Sequence, residues 1–349
     1  MTNFRGTWTV RAYRPGDEDG IRALFELVFR KPLSRAWWRW KLHTLPTPTE
    51  NEWVADAGDG GIVGHYAASP IRFLVDGRRV IVPHGCDAMT HPAFQRQGIM
   101  TAIGTRANEA WRAAGSPFQI GFHYGGWGSV REGLGWRPAV RMVWLRLRVR
   151  PLARVARLVG WRAPKSAERL YERWLDARTP GDEDDCEITR VRAASDVFDR
   201  LWLTLAPCYR VAAVRDRAWV QWRYLDAPDC DQRVWMAQRG EEPLGYLAYR
   251  VHRDTEKAWA VILDCFTAPT DRVTTGALLR HARRELLAQG VESIAALVVL
   301  DSPLYEALRA AGYSPRRQGY DFSVVPYADV DAGYDPRDWF LTGAEGDCV

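Results

Sequence analysis

Residues 90–103, with the sequence THPAFQRQGIMTAI, contain the pattern that points most directly to chemistry. Gln95, Arg96 and Gln97 precede Gly98, and a run of residues with the apolar spacing of a helix follows. The first backbone N–H groups of a helix have no partner inside the helix, and together with the helix dipole they bind phosphate groups. Gly98 has no Cβ, so the backbone can approach a phosphate closely. The pattern predicts a pyrophosphate-binding turn at the start of a helix.

This turn resembles the coenzyme signature of the GNAT acyltransferase superfamily. Residues 95–100 (QRQGIM) resemble its Q/R-x-x-G-x-G/A motif, and residues 90–92 (THP) resemble the V-x-P that closes its fourth strand. Further on, EGLGW at 132–136 resembles the "klGF" block at the end of that domain. The resemblance covers most of residues 9–150. One departure is Met100, where the family usually has Gly or Ala, and this larger side chain is expected to tighten the pocket.

The resemblance implies that acetyl-coenzyme A (acetyl-CoA) is the cosubstrate. No metal is expected. In this family, backbone N–H groups of the fourth strand polarise the thioester carbonyl, which here means the region of Met89 and Thr90. The implied coenzyme-binding residues are Met89, Thr90, Gln95, Arg96, Gln97, Gly98, Ile99, Met100 and Thr101.

A base is needed to take a proton from the acceptor amine. In similar proteins it often lies on the fourth strand, about eleven residues before the motif, and counting back from Gln95 places His84 there. A free imidazole titrates near pH 6.5, so it can accept a proton at neutral pH. Asp87 is a second candidate, although its recurrence as Asp264 in the second half of the chain favours a structural role, and a water relay is a third. Three further histidines are not assigned proton transfer from the sequence: His43, His65 and His91.

The acid that protonates the departing thiolate is harder to place. The family's usual tyrosine lies five residues before the aromatic residue of the last motif, here Trp136, and Arg131 occupies that position. Tyr124, at the end of the predicted strand FQIGF, is a candidate acid; the alternative is that it only packs under the Gly125-Gly126 turn. A third possibility is that the thiolate leaves unaided, with Arg131 stabilising its charge.

These side chains need an alternating helix and strand framework to position them. Apolar spacing predicts an opening helix, Asp-Gly between β-branched runs predicts a hairpin, and strict alternation predicts a half-exposed closing strand. The predicted elements of the first half are a helix in 16–30, a strand at 53–58, a hairpin turning at Asp76-Gly77, a helix from Ile99 to Gly115, a strand at 118–122 and a closing strand from Leu145 to Arg150.

Blocks of sequence recur in the same order in the second half of the chain. RAWWRWKL at 35–42 returns as RAWVQWRY at 217–224, and three further pairs keep the order: Trp53 with Trp235, DAMTHP at 87–92 with DCFTAP at 264–269, and Trp136 with Tyr313. We therefore predict an internal duplication. The second copy has no Gly at the position of Gly98, so only the first is expected to bind acetyl-CoA.

The predicted fold class is α/β (α+β), with two tandem GNAT-like domains, each a mixed, mostly antiparallel sheet flanked by helices. The expected boundaries are 1–150 for the coenzyme-binding domain, 151–190 for a linker with basic and acidic parts, 191–330 for the degenerate domain, and 331–349 for a C-terminal tail. The internal repeat is expected to replace the dimer of single-domain relatives, which leaves a monomer.

Composition and charge argue against nucleic-acid-binding, membrane and zinc-binding functions. The 349 residues carry a net charge of +5, and the positive charge is concentrated in 131–170. No nucleic-acid motif accompanies this positive charge, so neither nucleic acid nor membrane is expected as a partner. The Arg-rich stretch at 141–157 is interpreted as a solvated face. The six cysteines lack zinc-like spacing, and no apolar run approaches the ~18 residues of a membrane span, which favours a cytoplasmic protein.

The sequence therefore predicts an N-acyltransferase that moves an acetyl group from acetyl-CoA to the primary amine of a small molecule by direct attack. A longer acyl group or a carrier-protein donor stays open. One alternative is an aminoacyl or peptidyl transferase on a related duplicated fold. The other is a non-catalytic coenzyme-binding sensor or scaffold, which is suggested by Arg131 at the position of the family's usual tyrosine.

Overall fold

The computed structural model describes residues 7–47, 51–58, 61–123, 128–153, 158–160, 164–181, 186–328 and 335–346. The chain divides into two compact units. The first comprises Met1–Ala139 with Asp321–Tyr334, and the second Val140–Tyr320 with Asp335–Val349. The division therefore falls at Ala139 rather than at the expected residue 150. Within the described ranges, no helix has the length and apolar character needed to cross a membrane.

The first unit is a sheet with the strand order β1-β2-β3-β4-β5-β13, antiparallel except where β4 and β5 run parallel. Its elements are β1 (Thr9–Ala12), α1 (Glu18–Phe29), α2 (Arg35–His43), β2 (Glu52–Asp56), β3 (Ile62–Val75), β4 (Arg78–Thr90), α3 (Ile99–Ala113), β5 (Phe118–His123), α4 (Gly128–Gly133), the start of β6 (Arg137–Arg148) and the end of β13 (Ser314–Pro326).

Helices cover both faces of this sheet, as the apolar spacing predicts. Ile21, Leu24 and Phe25 of α1 are buried in a core that also contains residues of α2, β3 and β4. On the other face, α3 buries Ile103 and Trp111, among others, against β2 and β3. The hairpin between β3 and β4 turns at the predicted Asp-Gly pair, and both turn residues have positive φ, 47° and 78°.

The second unit is a sheet with the order β6-β12-β11-β10-β9-β7, in which only β11 and β12 run parallel. A short parallel pair, β8 with β14, lies beside it. Its remaining elements are α5 (Lys165–Arg178), β7 (Glu187–Val191), α6 (Asp196–Leu205), β8 (Val211–Ala213), α7 (Arg217–Val220), β9 (Asp231–Arg239), β10 (Glu242–Arg253), β11 (Ala258–Thr267), α8 (Arg272–Ala288), β12 (Val291–Val299), α9 (Pro303–Ala310) and β14 (Trp339–Phe340).

The predicted fold class is confirmed: the protein is a mixed α/β structure whose sheets are mostly antiparallel and flanked by helices. The strand predicted to close the sheet of the first half, Leu145 to Arg150, belongs to the other sheet, however. Residues 142–148 of β6 pair with β12 in the second unit, and residues 321–326 of β13 pair with β5 in the first. Backbone hydrogen bonds form between any strands brought side by side, so each sheet takes its last strand from the other half of the chain.

Two segments predicted to be peripheral are packed parts of the second unit. Within 151–190, helix α5 buries Leu175 completely in that unit's core, and Asp176 pairs with Arg283. Within 331–349, Trp339 of β14 is 2 % exposed. Their apolar side chains give both segments a reason to pack rather than to extend into solvent.

Candidate functional site

The turn before α3 has the open geometry that the motif predicts. Gly98 precedes Ile99, the first residue of the helix, and its φ of 80° lies in the left-handed region that favours glycine. A Cβ added to Gly98 would meet no atom within 4 Å. The exposed turn is also held at its start, because the backbone N–H of Ala93 donates to Nδ1 of His91 over 3.2 Å. A phosphate therefore has room beside the first turn of α3, which contains Met100 and Thr101.

Strands β4 and β5 separate just in front of this turn. They pair at His84 and Ile120, and both strands continue beyond that point. There β4 has a bulge, since Cys86 pairs with Ala67 and Met89 with His65, so that two residues of β4 face one of β3. The gap between the strands begins at His84, and the bulge lies along its β4 side, just before Met89 and Thr90.

The predicted base, His84, is at the closed end of this gap. It is 2 % exposed, and its ring meets that of Phe122 edge-on, with centroids 5.5 Å apart. Phe122 lies two residues beyond Ile120, so the imidazole leans toward the side on which the strands separate. His84 is thus placed to meet a group that enters the gap.

Asp87, the rival base, is engaged elsewhere. Its carboxylate forms a buried ion pair with Lys41 of α2, with Nζ 2.7 Å from Oδ2, and both side chains are 7 % exposed. Asp87 is also the bulge residue, with a φ of 48°. The ion pair anchors the bulge to α2.

A second buried group of polar residues supports the bulge from β2 and β3. Nδ1 of His65 lies 2.9 Å from the carbonyl oxygen of Asp87, and Nε2 lies 3.0 Å from Oε2 of Glu52. The other oxygen of Glu52 is 2.7 Å from Nε2 of His43. Trp38 donates its indole N–H to Glu52 over 3.3 Å.

Both partners of His65 are hydrogen-bond acceptors, so both ring nitrogens must carry hydrogen and the imidazole is positively charged. Burial opposes this charge, but the hydrogen bond and the negative charge of Glu52 outweigh it and raise the pKa of His65. Burial alone would raise the pKa of Glu52, yet the hydrogen bonds from His43 and His65 lower it to about 2. A buried cation therefore donates to the carbonyl of the bulge peptide.

On the β5 side of the gap, His123 packs against Trp136 with ring centroids 4.5 Å apart. Burial, together with the nearby charges of Arg131 and His84, lowers the pKa of His123 to about 4, so this imidazole is neutral at neutral pH. Arg131 donates to the Ser323 hydroxyl over 3.0 Å. The predicted acid Tyr124 lies outside the described residues.

The equivalent strands of the second unit also separate, but the chain itself fills the gap. β11 and β12 pair from Ala258 to Ile262, and beyond this Thr342 donates to Asp264 of β11 over 3.2 Å and bridges Val298 of β12. The remaining cavity beside this segment has a volume of about 20 Å³.

The start of α8 in the second unit is covered by the chain itself, whereas the start of α3 is open. Asp271 caps α8, and its carboxylate accepts the N–H of Thr274 over 2.9 Å. A Cβ added to Gly276 would lie 1.7 Å from the carbonyl oxygen of Pro180, which shows that another backbone segment covers this turn. The positive end of α8 is therefore occupied by groups of the chain.

Sequence reasoning missed five residues that the structure places around the gap in the first unit. His65 stands in an otherwise apolar strand, and Glu52 is a charged residue beside the buried Trp53; both are signals of a buried ion pair. His123 simply extends the predicted strand FQIGF by one residue. Lys41 and His43 end a helix and gave no signal. The missed residues are Lys41, His43, Glu52, His65 and His123.

Comparisons with known proteins give the family of the first unit and the fold of the chain. Residues 9–139 match the family model described as an acetyltransferase (GNAT) domain. No curated protein matches the chain in sequence.

Among solved structures, a GCN5-related N-acetyltransferase from Anabaena variabilis has a TM-score of 0.66 at 11% identity, covering 91% of this chain and 72% of that one. A GCN5-related N-acetyltransferase from Kribbella flavida has a TM-score of 0.63 at 13% identity, with coverage of 91% and 71%. Saccharomyces cerevisiae N-myristoyltransferase with bound myristoyl-CoA has a TM-score of 0.63 at 9% identity, with coverage of 93% and 80%. These three similarities concern the fold, whereas the family match identifies residues 9–139 as a GNAT acetyltransferase domain.

Proposed function

We propose that the first unit transfers an acetyl group from acetyl-CoA to the primary amine of a small molecule by direct attack. The observation that carries this proposal is the open turn at Gly98 in front of separated strands β4 and β5. The second unit, whose corresponding gap holds Thr342, acts as a structural partner and binds no coenzyme.

The coenzyme fits the first unit by the chemistry of its donors. Its pyrophosphate lies against the backbone N–H groups around Gly98 and the first turn of α3, where the helix dipole is positive. Gln95, Arg96 and Thr101 are exposed there and reach the phosphates from the rim. The pantetheine arm then runs into the gap between β4 and β5, toward His84.

The bulge peptide supplies the group that polarises the thioester. The carbonyl of Asp87 and the N–H of Ala88 belong to one peptide unit, and the carbonyl accepts a hydrogen bond from the charged His65. Accepting that bond makes the N–H of the same peptide a stronger donor. The Ala88 N–H, next to the Met89 and Thr90 positions implied by the resemblance, stabilises the negative charge that develops on the thioester oxygen.

His84 takes the proton from the acceptor ammonium, and the free amine attacks the acyl carbon. Asp87 is the weaker candidate because its carboxylate is neutralised by Lys41. The carbon–sulfur bond then breaks, and the thiolate leaves toward the β5 side of the gap, where Arg131 offers a positive charge. Tyr124 stays a candidate for the proton donor to that sulfur.

The decisive experiment is thermal unfolding with and without acetyl-CoA for the wild type, Gly98→Asp and Gly115→Asp. Gly115 is a matched control: it follows the end of the helix that Gly98 begins, its φ is 81° against 80°, and neither residue has an atom within 4 Å of an added Cβ. Both substitutions impose the same backbone strain, but only Gly98→Asp would place a carboxylate against the phosphates.

At a hundredfold excess over Kd, the ligand should add ~2.7 kcal/mol of stability, which raises Tm by about 5–10 °C. We expect this rise in the wild type and in Gly115→Asp and its loss in Gly98→Asp. No rise in any of the three would remove acetyl-CoA as the donor. A rise without release of free thiol over a panel of amines would favour the non-catalytic sensor.

A further inference from the structure

A large cavity lies in the second unit, away from the filled gap at Thr342. Its volume is about 770 Å³, within the range of small-molecule sites. It lies where β11 and β12 are still paired, near the start of both strands. The residues that define it are Trp144, Arg146, Lys257, Trp259, Arg316 and Arg317.

The alternation of side chains along the strands builds this cavity. Leu145 and Leu147 of β6 point into the helix-covered core, so Trp144 and Arg146 point to the opposite face of the sheet. Where the cavity lies, the central strand β12 offers the small side chains of Ser293 and Ala295, and Glu292 of this strand also lines the cavity. Trp259 pairs with Ser293 on one side, and Arg146 pairs with Ala295 on the other. Small residues thus form the floor, and large ones form the walls.

Positive charge dominates the lining, with four cations against the two carboxylates of Asp254 and Glu292. Asp254 is already used locally, since it accepts the backbone N–H groups of Glu256 and Lys257. Arg146 donates to the neutral Ser293 hydroxyl over 2.9 Å. Burial first, and then the charges of Arg316 and Arg148, lower the pKa of Arg146, which remains a cation at neutral pH.

Arg316 and Arg317 are exposed at the rim, and within the described part of the chain neither has a carboxylate partner. Arg316 lies close enough to Arg146 for its charge to lower the pKa of Arg146. These two guanidinium groups suit a doubly charged phosphate, because each offers a planar fork of N–H donors. The two tryptophans add surfaces on which a flat ring can stack. The indole of Trp259 is held in place by His252, which stacks on it with an interplanar angle of 6°.

We propose that this cavity, which we call the arginine–tryptophan cavity, binds a phosphorylated small molecule with a flat ring, of the nucleotide class. The phosphate lies between Arg146 and Arg316, and the ring lies over Ser293 and Ala295 beside Trp259. The site is separate from the coenzyme turn at Gly98 and does not depend on it.

The test is titration of the 349-residue chain with UMP, GMP and AMP, followed by calorimetry and by tryptophan fluorescence. Uridine, ribose 5-phosphate and inorganic phosphate are the partial ligands. We expect the nucleotides to bind more tightly than any partial ligand, with fluorescence quenching and with weaker binding as salt rises. Binding should be unchanged in Gly98→Asp, which separates this site from the coenzyme site.

The variants are Arg146→Gln combined with Arg316→Gln, and Arg316→Gln alone in case the buried position affects folding. The double variant should lose roughly tenfold or more in affinity, because hydrogen bonds to charged groups contribute about that much. Arg190→Gln is the control, since Arg190 is an exposed strand arginine of the same unit outside the cavity. Trp259→Leu should weaken the binding of the nucleotides but not the binding of ribose 5-phosphate.

Three results would overturn the proposal. The first is equal loss of binding in Arg190→Gln and in the double variant, which indicates unspecific charge attraction. The second is equal affinity for inorganic phosphate and nucleotides, which indicates an adventitious anion. The third is binding of a single-stranded oligonucleotide without any binding of mononucleotides, which indicates a macromolecular surface instead.

Discussion

His84 and Asp87 lie three residues apart on β4, and their surroundings give them different roles. Asp87 forms an ion pair with Lys41, so removing the charge of Asp87 would leave the lysine as an unpaired buried cation. His84 meets an aromatic ring at the point where β4 and β5 separate. A residue that faces a gap can exchange protons with what enters it, whereas a residue held in an ion pair keeps the backbone in place.

We expect His84→Gln to lower kcat by roughly 10²- to 10⁴-fold, the usual contribution of a general base. The Tm rise on adding acetyl-CoA should remain, because His84 does not contact the phosphates. Steady-state rates with an accepted amine, measured beside the thermal shift, check both statements.

Asp87→Asn serves as the comparison for that variant. Asp87→Asn should cost roughly 3 kcal/mol of stability, because Lys41 is then buried without its partner. The kcat per folded molecule should fall much less than in His84→Gln, because His65 still holds the bulge peptide. A stable Asp87→Asn protein with abolished turnover would exchange the roles of the two residues.

The Glu52–His65 pair predicts a distinct dependence of stability on pH. The pKa of Glu52 is about 2 in the folded protein and near 4.5 ordinarily, so the unfolded chain takes up a proton first as the pH falls. Its stabilising contribution is complete above pH 4.5 and disappears toward pH 2. Urea unfolding across this pH range should show that the free energy of unfolding falls less in Glu52→Gln than in the wild type as the pH is lowered. The same loss in both proteins would contradict the assignment.

At the scale of elements, the C-terminal segment decides what the second unit can do. Arg215 holds this segment in place: its guanidinium, which is fully buried, pairs with Asp264 of β11 and with Glu345 beyond β14. Tyr224 and Tyr246 also donate to Asp264. The position that carries Asp87 in the first unit is here the centre of a buried polar network.

Arg215→Met should destabilise the second unit by about 3–5 kcal/mol, since two buried carboxylates then lose their cation. The cost should shrink as the pH falls, because burial raises the pKa of Glu345 and its protonation removes one of the two charges that repel each other. Chemical unfolding at neutral and acidic pH checks this. A cost that is independent of pH would mean that lost packing, not charge, is responsible.

At the scale of the whole molecule, the two units repeat one arrangement and differ in what lies between the separated strands. In the first unit the approach to the gap passes the open turn at Gly98. In the second, Thr342 bridges the gap and Asp271 caps the helix. We therefore expect a single coenzyme site per chain.

Calorimetric titration of the wild type with acetyl-CoA should therefore give a stoichiometry of one per chain, and Gly98→Asp should show no binding. The expected value follows from the occupied gap of the second unit rather than from its sequence alone. Two equivalents per chain, or residual binding in Gly98→Asp at wild-type affinity, would contradict the assignment of the second unit as a structural partner.

The elements around the turn at Gly98 could be predicted because their signals are local. Helix periodicity in α1 and α3, the Asp-Gly turn of the β3–β4 hairpin and the glycine before α3 each depend on a few neighbouring residues. For the same reason, the family of residues 9–139 and the fold class were accessible from the sequence.

What only the tertiary structure decided involves residues far apart in the chain. The exchange of closing strands, the ion pair between Lys41 and Asp87, the contact of His65 with the bulge and the insertion of Thr342 between β11 and β12 have no local signature. The arginine–tryptophan cavity is of this kind too, since four strands supply its walls. Local sequence determines which elements form, whereas the pairing of strands and the partners of buried charges depend on which distant segments meet when the chain packs.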